Sequence, residues 1–417
     1  MKLSKYFLLI VLTNISVLYD QIAPLQAQHD THEMEHEGAA GHDDHGDLCA
    51  HVSHHDEEFD PAATAFHHIA NLNVFSIGPW NFPLPCILYA PGHGLDFFSS
   101  GKFAFDFRGH GDGHKAYRGY VLDAGTVKRV VDPSFPLDHV EIGGFAHQGK
   151  DAYVCYDGQA YILENKSIID GGLFGGGLTS FYDFSISKNV VAMLLIFGFL
   201  AWLFLGIARS YTRREGMAPK GVQSFMEPMF LFIQEEVAKP FLGDKWHKYQ
   251  PFLMALFFFI LGLNLFGQIP FFGGANVTGN LAFTMALALF TFFVTNLSGK
   301  KDYWTHVLWM PGVPAAIKAA IITPVEILGL FIKPFTLMLR LFANITAGHI
   351  VVLSFIGLIF IFGSSGQSVA GASLGAAVSI PLTIFMMAIE LLVAFIQAFV
   401  FAILTASYIG AAIEEHH

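Results

Sequence analysis

The chain has 417 residues, of which 53% are hydrophobic and only 14% are charged, and its mean hydropathy is +0.49. Soluble domains carry about 25% charged residues, so the composition excludes an ordinary soluble protein and predicts a membrane protein. The net charge of −11 averages two unlike parts, because much of the acid lies before residue 60 whereas Lys and Arg lie at the ends of apolar segments. Nothing in this pattern indicates nucleic-acid binding.

Residues 1–27 have the pattern of a secretory signal peptide. Lys2 and Lys5 precede a mostly apolar stretch from Tyr6 to Leu18, and Leu25-Gln26-Ala27 suits a cleavage site. An uncleaved membrane anchor is the alternative, although polar residues keep the apolar run shorter than the ~20 residues that a span needs. Under either interpretation, the residues that follow are expected outside the cytoplasm.

Residues 28–68 form a low-complexity tail, rich in acid and histidine, that we expect to be disordered. The segment His32-Glu-Met-Glu-His36 matches the zinc-protease pattern His-Glu-x-x-His, but that pattern works only on a rigid helix with a further ligand. Because histidine recurs every few residues here, a chance match is expected and no protease activity is predicted. The two remaining interpretations are a solvated linker and a weak site for Zn²⁺, Cu²⁺ or Ni²⁺ formed by His32, His36, His42 and His45.

Residues 69–183 are rich in Gly, Phe, Asp and Tyr and predict a small extracytoplasmic segment of short strands. Alternating stretches such as Phe103–Phe107 and Tyr153–Tyr156 lie between turn-forming glycines. Cys49, Cys86 and Cys155 all precede the membrane region, in a compartment expected to be oxidising, so one disulfide is possible. We predict the Cys86–Cys155 pair.

Residues 184–417 read as an all-α polytopic membrane domain with five transmembrane helices. Residues 313–333 mix apolar and charged positions, which predicts an amphipathic helix lying at or dipping into the membrane. The last two spans are long and are predicted to form a tilted antiparallel hairpin. The predicted spans are Val190–Ile207, Phe252–Phe272, Leu281–Leu297, Phe335–Phe362 and Leu374–Ile413.

Loop charges predict the orientation of these spans. Arg and Lys residues cluster after the first span, at 209–220, and Lys300 and Lys301 follow the third. The intervening loop at 273–280 has no Lys or Arg. The positive-inside rule therefore places the N-terminus outside and the C-terminus in the cytoplasm after five crossings.

Arg340 lies inside a long apolar run and is the strongest functional signal. A charged residue at the centre of a membrane helix costs about 2.5–3.5 kcal/mol on insertion scales, so it normally faces a partner or a water-filled cavity. The alternative is an arginine that extends to the membrane surface from near a helix end. Pro334 lies six residues earlier, about 9 Å along a helix, so this alternative is geometrically possible.

The last helix supplies polar partners. Glu390 and Gln397 are seven residues apart and so fall within about 20° of one helix face. In an antiparallel hairpin, Arg340 lies level with Gln397, and His349 lies level with Glu390 about 13 Å further towards the outside. Asn344 shares the side of Arg340, whereas His349 is turned about 180° from it, so a polar path would have to wind around the helix.

The run Arg-Leu-Phe-Ala-Asn-Ile-Thr-Ala-Gly at 340–348 resembles the signature of bacterial ATP synthase subunit a. The ending from Gln397 to His416, the Lys333-Pro334 pair, and the stretches 216–223 and 276–287 are also similar to this family. The resemblance covers 187–417 and implies that Arg340 and Gln397 are the family's essential arginine and glutamine. Many bacterial members have Glu and His where this chain has His349 and Glu390, so the pair looks exchanged. The long N-terminal extension is a second departure.

The resemblance implies a stator subunit that carries protons past a ring of c subunits, with the b subunits of the peripheral stalk as further partners. Protons would pass through two half-channels in the bacterial inner membrane, with His349 and Glu390 on the outer side and Arg340 between them. Glu326 either lines the inner half-channel or lies on a solvated helix face.

No catalytic chemistry or cofactor is predicted, because Gly109-x-Gly-x-Gly113 lacks the Lys-Ser/Thr ending of a phosphate-binding loop. The competing functions are an unrelated transporter, which would usually show inverted repeats, and a membrane-anchored metal-binding protein.

Overall fold

The computed structural model describes Cys49 and residues 70–77, 80–91, 93–105, 111–148, 151–165, 181–269, 275–309, 317, 321–363 and 368–414. These residues belong to one unit that spans Leu48–His417. The predicted signal peptide, and all of the predicted tail except Cys49, lie outside the described residues.

The region before the membrane helices consists of short antiparallel strands, which confirms the predicted strand content. The strands are β1 (Val74–Ile77), β2 (Trp80–Pro83), β3 (Pro85–Ala90), β4 (Gly94–Ser99), β5 (Lys115–Ala116), β6 (Tyr120–Asp123), β7 (Thr126–Val130), β8 (Val140–Glu141), β9 (Gly144–Gln148), β10 (Asp151–Tyr156), β11 (Gln159–Asn165) and β12 (Tyr182–Asp183). A five-stranded sheet has the order β6-β7-β11-β10-β9, and a three-stranded sheet has the order β12-β3-β4. Strands β1 and β2 form one further pair, and β5 and β8 form another.

Alternation of apolar side chains explains this sheet packing. In β3, Cys86, Leu88 and Ala90 are fully buried, whereas the residues between them face outward, as expected when successive side chains point to opposite faces. Tyr153–Tyr156 falls in β10 as predicted, but Phe103 ends a 3₁₀ turn, Ser100–Phe103, rather than beginning a strand. Its ring is fully buried against Phe98.

The predicted Cys86–Cys155 disulfide is wrong, because Cys155 is bonded to Cys49 across 106 residues of sequence. Cys86 lies on the inward face of β3, and its thiol sits 3.8 Å from the carbonyl oxygen of Leu84. Cys155 belongs to β10 in the other sheet. With three cysteines, the pairing depends on which strands become neighbours, and the spacing in the sequence does not determine that.

A buried carboxylate joins the two edges of the five-stranded sheet. Asp123, at the end of β6, accepts hydrogen bonds from Lys128 Nζ at 2.6 Å and from His147 Nε2, in β9, at 3.2 Å. Because β6 and β9 are the outer strands of this sheet, the contact shows that the sheet curls until its edges meet. Burial alone would raise the pKa of Asp123, but the bonds from His147 and Lys128 lower it. The bond to Asp123 raises the pKa of His147.

These opposite shifts predict how the strand region responds to pH. The Asp123 contribution to stability is present above about pH 4 and is lost as the pH falls through its folded pKa. The His147 contribution is complete below about pH 6.5 and is lost as the pH rises through its folded pKa. We therefore expect the backbone amide hydrogens of β6 and β9 to exchange with solvent most slowly between about pH 4 and about pH 6.5. Hydrogen exchange measured in the intact complex, and corrected for the pH dependence of the intrinsic exchange rates, checks this expectation.

Two variants test this expectation. His147→Gln should remove the increase in exchange above pH 6.5. Asp123→Asn should destabilise the sheet by roughly 1–3 kcal/mol above about pH 4, because it leaves Lys128 without its carboxylate, and by less as the pH falls and Asp123 itself becomes protonated. An unchanged pH profile in His147→Gln would show that this pair does not control the edge contact.

The remainder of the described chain is helical, and five segments are long and apolar enough to cross a membrane: Lys188–Arg213, Val222–Gly267, Leu281–Ser298, Thr323–Phe362 and Val369–Ile413. This agrees with a multi-pass membrane protein. The helices are α1 (Lys188–Arg213), α2 (Val222–Ile233), α3 (Lys239–Leu242), α4 (Trp246–Gly267), α5 (Leu281–Ser298), α6 (Lys301–Leu308), α7 (Thr323–Phe362) and α8 (Val369–Ile413), with a π-helical turn at Gln234–Ala238 between α2 and α3.

Two helix boundaries differ from the prediction. The sequence suggested a break at Pro334, but α7 continues through this residue and has 40 residues. Proline there removes only its own N–H bond, and neighbouring helices make such a loss tolerable within a membrane. The sequence analysis also missed α2 and the π-helical turn, because Gln223, Glu227 and Pro228 interrupt the apolar pattern.

Helix α4 forms the centre of the bundle, and α7 and α8 pack along each other in opposite directions. Leu253, Phe257 and Ile260 of α4 are fully buried. Near the loop that joins α7 and α8, the Ser379 hydroxyl donates a hydrogen bond to the Phe355 carbonyl. Further along the pair, Gly348 lies against Glu390. This antiparallel packing brings the polar residues of the two helices to matching levels.

Candidate functional site

A polar cavity lies between α4, α7 and α8 in the half of the bundle nearer the strands. It is lined by His349 and Asn344 from α7, by Glu390 from α8, by Asn264 from α4 and by Gln268 directly after α4, with Ile345 and Val393 as apolar neighbours. The structure thus brings together three of the residues predicted from the sequence. Asn264 and Gln268 lie within the predicted second span, Phe252–Phe272, but the sequence did not assign them to the site.

Close packing holds the carboxylate and the imidazole in this cavity. A methyl group added at Gly348 would collide with Glu390 Oε1 and lie 3.2 Å from its Cδ. On the other side, a methyl group added at Gly267 would lie 3.8 Å from His349 Nε2. His349 therefore faces α4, while Gly348 faces α8.

The Asn264 and Gln268 amides fix the position of α8. Gln268 Nε2 donates to the Glu390 carbonyl oxygen at 2.8 Å, and Asn264 Nδ2 donates to the Ala394 carbonyl oxygen at 3.3 Å. The side-chain oxygen of Asn264 is buried and has no hydrogen-bond partner among the described residues. A polar atom of this kind beside a cavity is suited to a bound water molecule.

Lys188 is a buried charged residue that the sequence analysis did not single out. It begins α1, its side chain is only 1% exposed, and it interacts electrostatically with His349. Its backbone N–H donates to the Leu72 carbonyl oxygen at 2.8 Å, so the same residue ties α1 to the strand region. A lysine at the start of an apolar helix looks like a surface anchor in the sequence, and only the packing shows that it is buried.

Arg340 lies well inside α7, because the helix continues through Pro334. It is 17 residues from the start of α7 at Thr323, about 25 Å along the helix rather than 9 Å. Its side chain and that of Asn344 are exposed in the isolated chain, whereas Gln397 on α8 is 6% exposed. The guanidinium is therefore available on the outer face of the α7–α8 pair.

A second polar group lies at the other end of the bundle, between α5, α6, α7 and α8. Tyr303 donates a hydrogen bond to Asn296 Oδ1 at 3.1 Å, and both residues line a cavity with Lys333 and Tyr408. Burial raises the pKa of Tyr303, and the nearby Glu326 carboxylate raises it further. Glu326 is half-buried in the isolated chain.

The predicted metal-binding histidines of the tail, His32, His36, His42 and His45, lie outside the described residues. Within the ranges that the structure describes, no group of three or more His, Cys, Asp or Glu side chains is arranged to hold a metal ion.

Comparison with known proteins identifies the family to which the chain belongs. The chain matches the family described as ATP synthase A chain over residues 190–410, more than half of its length. The chain belongs to the ATP synthase A chain family. Residues 64–141 match a second family, described as a domain of unknown function (DUF8433).

Several bacterial relatives of this ATP synthase A chain are named ATP synthase subunit a. The protein of Chloroherpeton thalassium is 39% identical over 240 residues, covering 56% of this chain and 69% of its own. That of Chlorobium phaeobacteroides strain BS1 is 34% identical over 317 residues, covering 72% and 77%. That of Anaeromyxobacter dehalogenans is 37% identical over 276 residues, covering 61% and 68%.

Proposed function

We propose that this chain is the proton-conducting stator subunit of a rotary ATP synthase, with no catalytic site of its own. The observation that carries the proposal is the outer cavity with its carboxylate and imidazole, on the same helix pair that carries a membrane arginine. A chain of exchangeable groups leading towards a fixed cation is what proton delivery to a neighbouring carboxylate requires.

The outer half-channel enters through the cavity of Glu390, His349, Gln268 and Asn264. Glu390 and His349 are the groups there that can take up and release a proton, whereas the two amides position α8 and hold water. From this level the path continues past Asn344, which lines the cavity and lies one helical turn from Arg340. Asn344 therefore connects the cavity of His349 to Arg340, although these two residues lie on opposite sides of α7, and the path requires no bend in the helix.

Arg340 separates the two half-channels, with Gln397 as a neighbouring polar group on α8. Its guanidinium stays charged at physiological pH and cannot act as a proton carrier. A ring carboxyl that arrives from the lipid in its protonated form is driven to ionise beside this cation. A potential of 100 mV supplies about 2.3 kcal/mol per proton, so several protons are needed for each ATP.

The inner half-channel leaves through the cavity of Tyr303, Asn296 and Tyr408, with Glu326 at its edge. Glu326 supplies an exchangeable carboxylate on the side of the bundle away from the strands. Its half-buried position beside Tyr303 favours this role over a solvated surface position.

We place the chain in the bacterial inner membrane with the N-terminus outside and the C-terminus in the cytoplasm. A cleaved signal peptide at 1–27, a solvated tail at 28–68, an extracytoplasmic segment at 69–183 and a membrane domain at 184–417 are consistent with this orientation. Helices α7 and α8 would be tilted in the bilayer, so that the start of α7, which overlaps the predicted amphipathic segment 313–333, reaches the inner membrane surface.

The c-subunit ring would dock on the face that exposes Arg340, Asn344, Leu391 and Leu392. This face is apolar apart from Arg340 and Asn344, which suits a ring whose only buried charge is its carboxylate. The b subunits would bind elsewhere on the membrane domain.

Gly348 provides a test of the outer half-channel. Gly348→Ala should lower ATP-driven proton pumping about tenfold, because the added methyl group displaces the Glu390 carboxylate from its cavity. Gly329→Ala is the matched control on the same helix, since a methyl group there meets no atom within 4 Å. Equal pumping by both variants would show that the exact position of Glu390 does not matter.

Deletion of residues 28–47, which removes His32, His36, His42 and His45 but keeps the Cys49–Cys155 disulfide, separates the proposed function from the metal-binding alternative. We expect the shortened chain to assemble and pump protons at the wild-type rate in inverted membrane vesicles. Loss of all function despite assembly would favour a metal-binding tail for which the helices serve only as an anchor.

A further inference from the structure

A separate cavity lies between α1, α2 and α4, away from both polar groups described above. Its volume is about 1050 Å³ including the open mouth, which is the size of a small-molecule binding pocket. Apolar side chains from the three helices form most of the wall, among them Ile207, Phe230 and Met254. Leu231, which lines the cavity, is an exposed apolar residue, so the cavity opens towards lipid.

The cavity is apolar at one end and polar at the other. Phe204, Phe230 and Phe258 pack together at the apolar end, with ring centroids 5.1–5.6 Å apart. Tyr211 lies seven residues after Phe204 on α1, and Gln250 lies eight residues before Phe258 on α4, so both are about 10–12 Å from the aromatic rings. Gln250 Nε2 donates to Gln234 Oε1 at 3.1 Å at this polar end.

Glu227 is the unexplained group in the wall. Its Oε2 atom is buried and has no hydrogen-bond partner among the described residues. One turn earlier, Gln223 is 5% exposed, and its side-chain oxygen is likewise buried without a described partner. Buried acceptors of this kind cost free energy unless a donor reaches them, and a carboxylate is best satisfied by a cation. The π-helical turn Gln234–Ala238 begins at the cavity, and such turns are frequent at functional sites.

We propose that this cavity binds one phospholipid whose head group carries a primary ammonium. An acyl chain occupies the aromatic end, the ammonium donates to Glu227, and the phosphate lies near Arg213 and Arg214, which follow Tyr211 at the end of α1. Like a phospholipid, the cavity is apolar at one end and polar at the other, and its polar end lies on the side of Arg213 and Arg214. Assignment to the cytoplasmic leaflet rests on the orientation given under the proposed function.

The test uses the intact ATP synthase in proteoliposomes with trace photoactivatable lipids that differ only in head group: phosphatidylethanolamine, phosphatidylcholine and phosphatidylglycerol. The ethanolamine probe should label peptides of the cavity about tenfold more than the other two. Glu227→Gln should bring the three probes to equal labelling. Ala255→Trp fills the cavity and should lower ethanolamine labelling about tenfold, whereas Leu205→Trp, outside the lining, should leave it unchanged.

Three results would overturn the lipid site. These are equal labelling by all three probes in the wild type, labelling that Ala255→Trp does not reduce, and crosslinks from the cavity wall to another subunit in place of lipid. ATP-driven pumping measured in the same proteoliposomes keeps the two proposals distinct. Normal pumping without selective labelling rejects only the lipid site, whereas absent pumping in the wild type would count against the proposed function.

Discussion

Arg340→Ala should abolish ATP-driven proton pumping while the complex remains assembled. The guanidinium is the fixed charge that makes an arriving ring carboxyl release its proton, and a charged hydrogen-bonded contact contributes about 1.5–3 kcal/mol. Losing it corresponds to a factor of about 10 to 150 in the population of the ionised carboxyl, which is enough to stop rotation coupled to proton flow. Pumping by inverted vesicles, normalised to assembled complex, measures the effect.

Two further variants control for indirect effects. Leu339→Ala changes the neighbouring residue, which is also exposed on α7, and should retain pumping. Arg340→Lys should remain strongly impaired, because a lysine in apolar surroundings can lose its proton whereas arginine cannot. Pumping by Arg340→Ala at the wild-type rate would remove Arg340 from the proton path.

Glu390→Gln should lower pumping at least about tenfold, because it replaces an exchangeable carboxylate by an amide of nearly the same shape. Glutamine can keep the packing against Gly348, so assembly should be unaffected. His349→Gln should have a smaller effect if water links Glu390 directly to Asn344. Pumping measured over a range of external pH identifies which of the two groups limits entry.

The exchanged double variant, His349→Glu with Glu390→His, gives the sharper result. The two positions face one cavity, so exchanging the residues keeps one carboxylate and one imidazole there. Pumping should recover to well above that of either single exchange. No recovery in an assembled complex would show that the positions have separate roles.

The membrane part could largely be predicted from the sequence because its signals are local. Apolar runs of about 20 residues mark the spans, and a charge such as Arg340 is conspicuous within one. Antiparallel packing of two consecutive helices then brings His349 to the level of Glu390, which their positions along the chain already indicate.

Features that depend on three-dimensional neighbours could not be predicted. The Cys49–Cys155 bond depends on the sheet in which β10 lies, and the burial of Lys188 depends on the contact between α1 and the strand region. Pro334 was interpreted as a helix end, although the surrounding helices allow α7 to continue through it. Helix α2 was missed because Gln223, Glu227 and Pro228 interrupt its apolar pattern.

The most direct test of the two half-channels is the sidedness of thiol labelling. His349→Cys and Glu326→Cys are each treated with a membrane-impermeant thiol reagent in right-side-out and in inverted vesicles, and the modified peptide is identified by mass spectrometry. Position 349 should react only from the outside and position 326 only from the inside, because Arg340 lies between the two paths. Reaction of both positions from the same side would contradict the account.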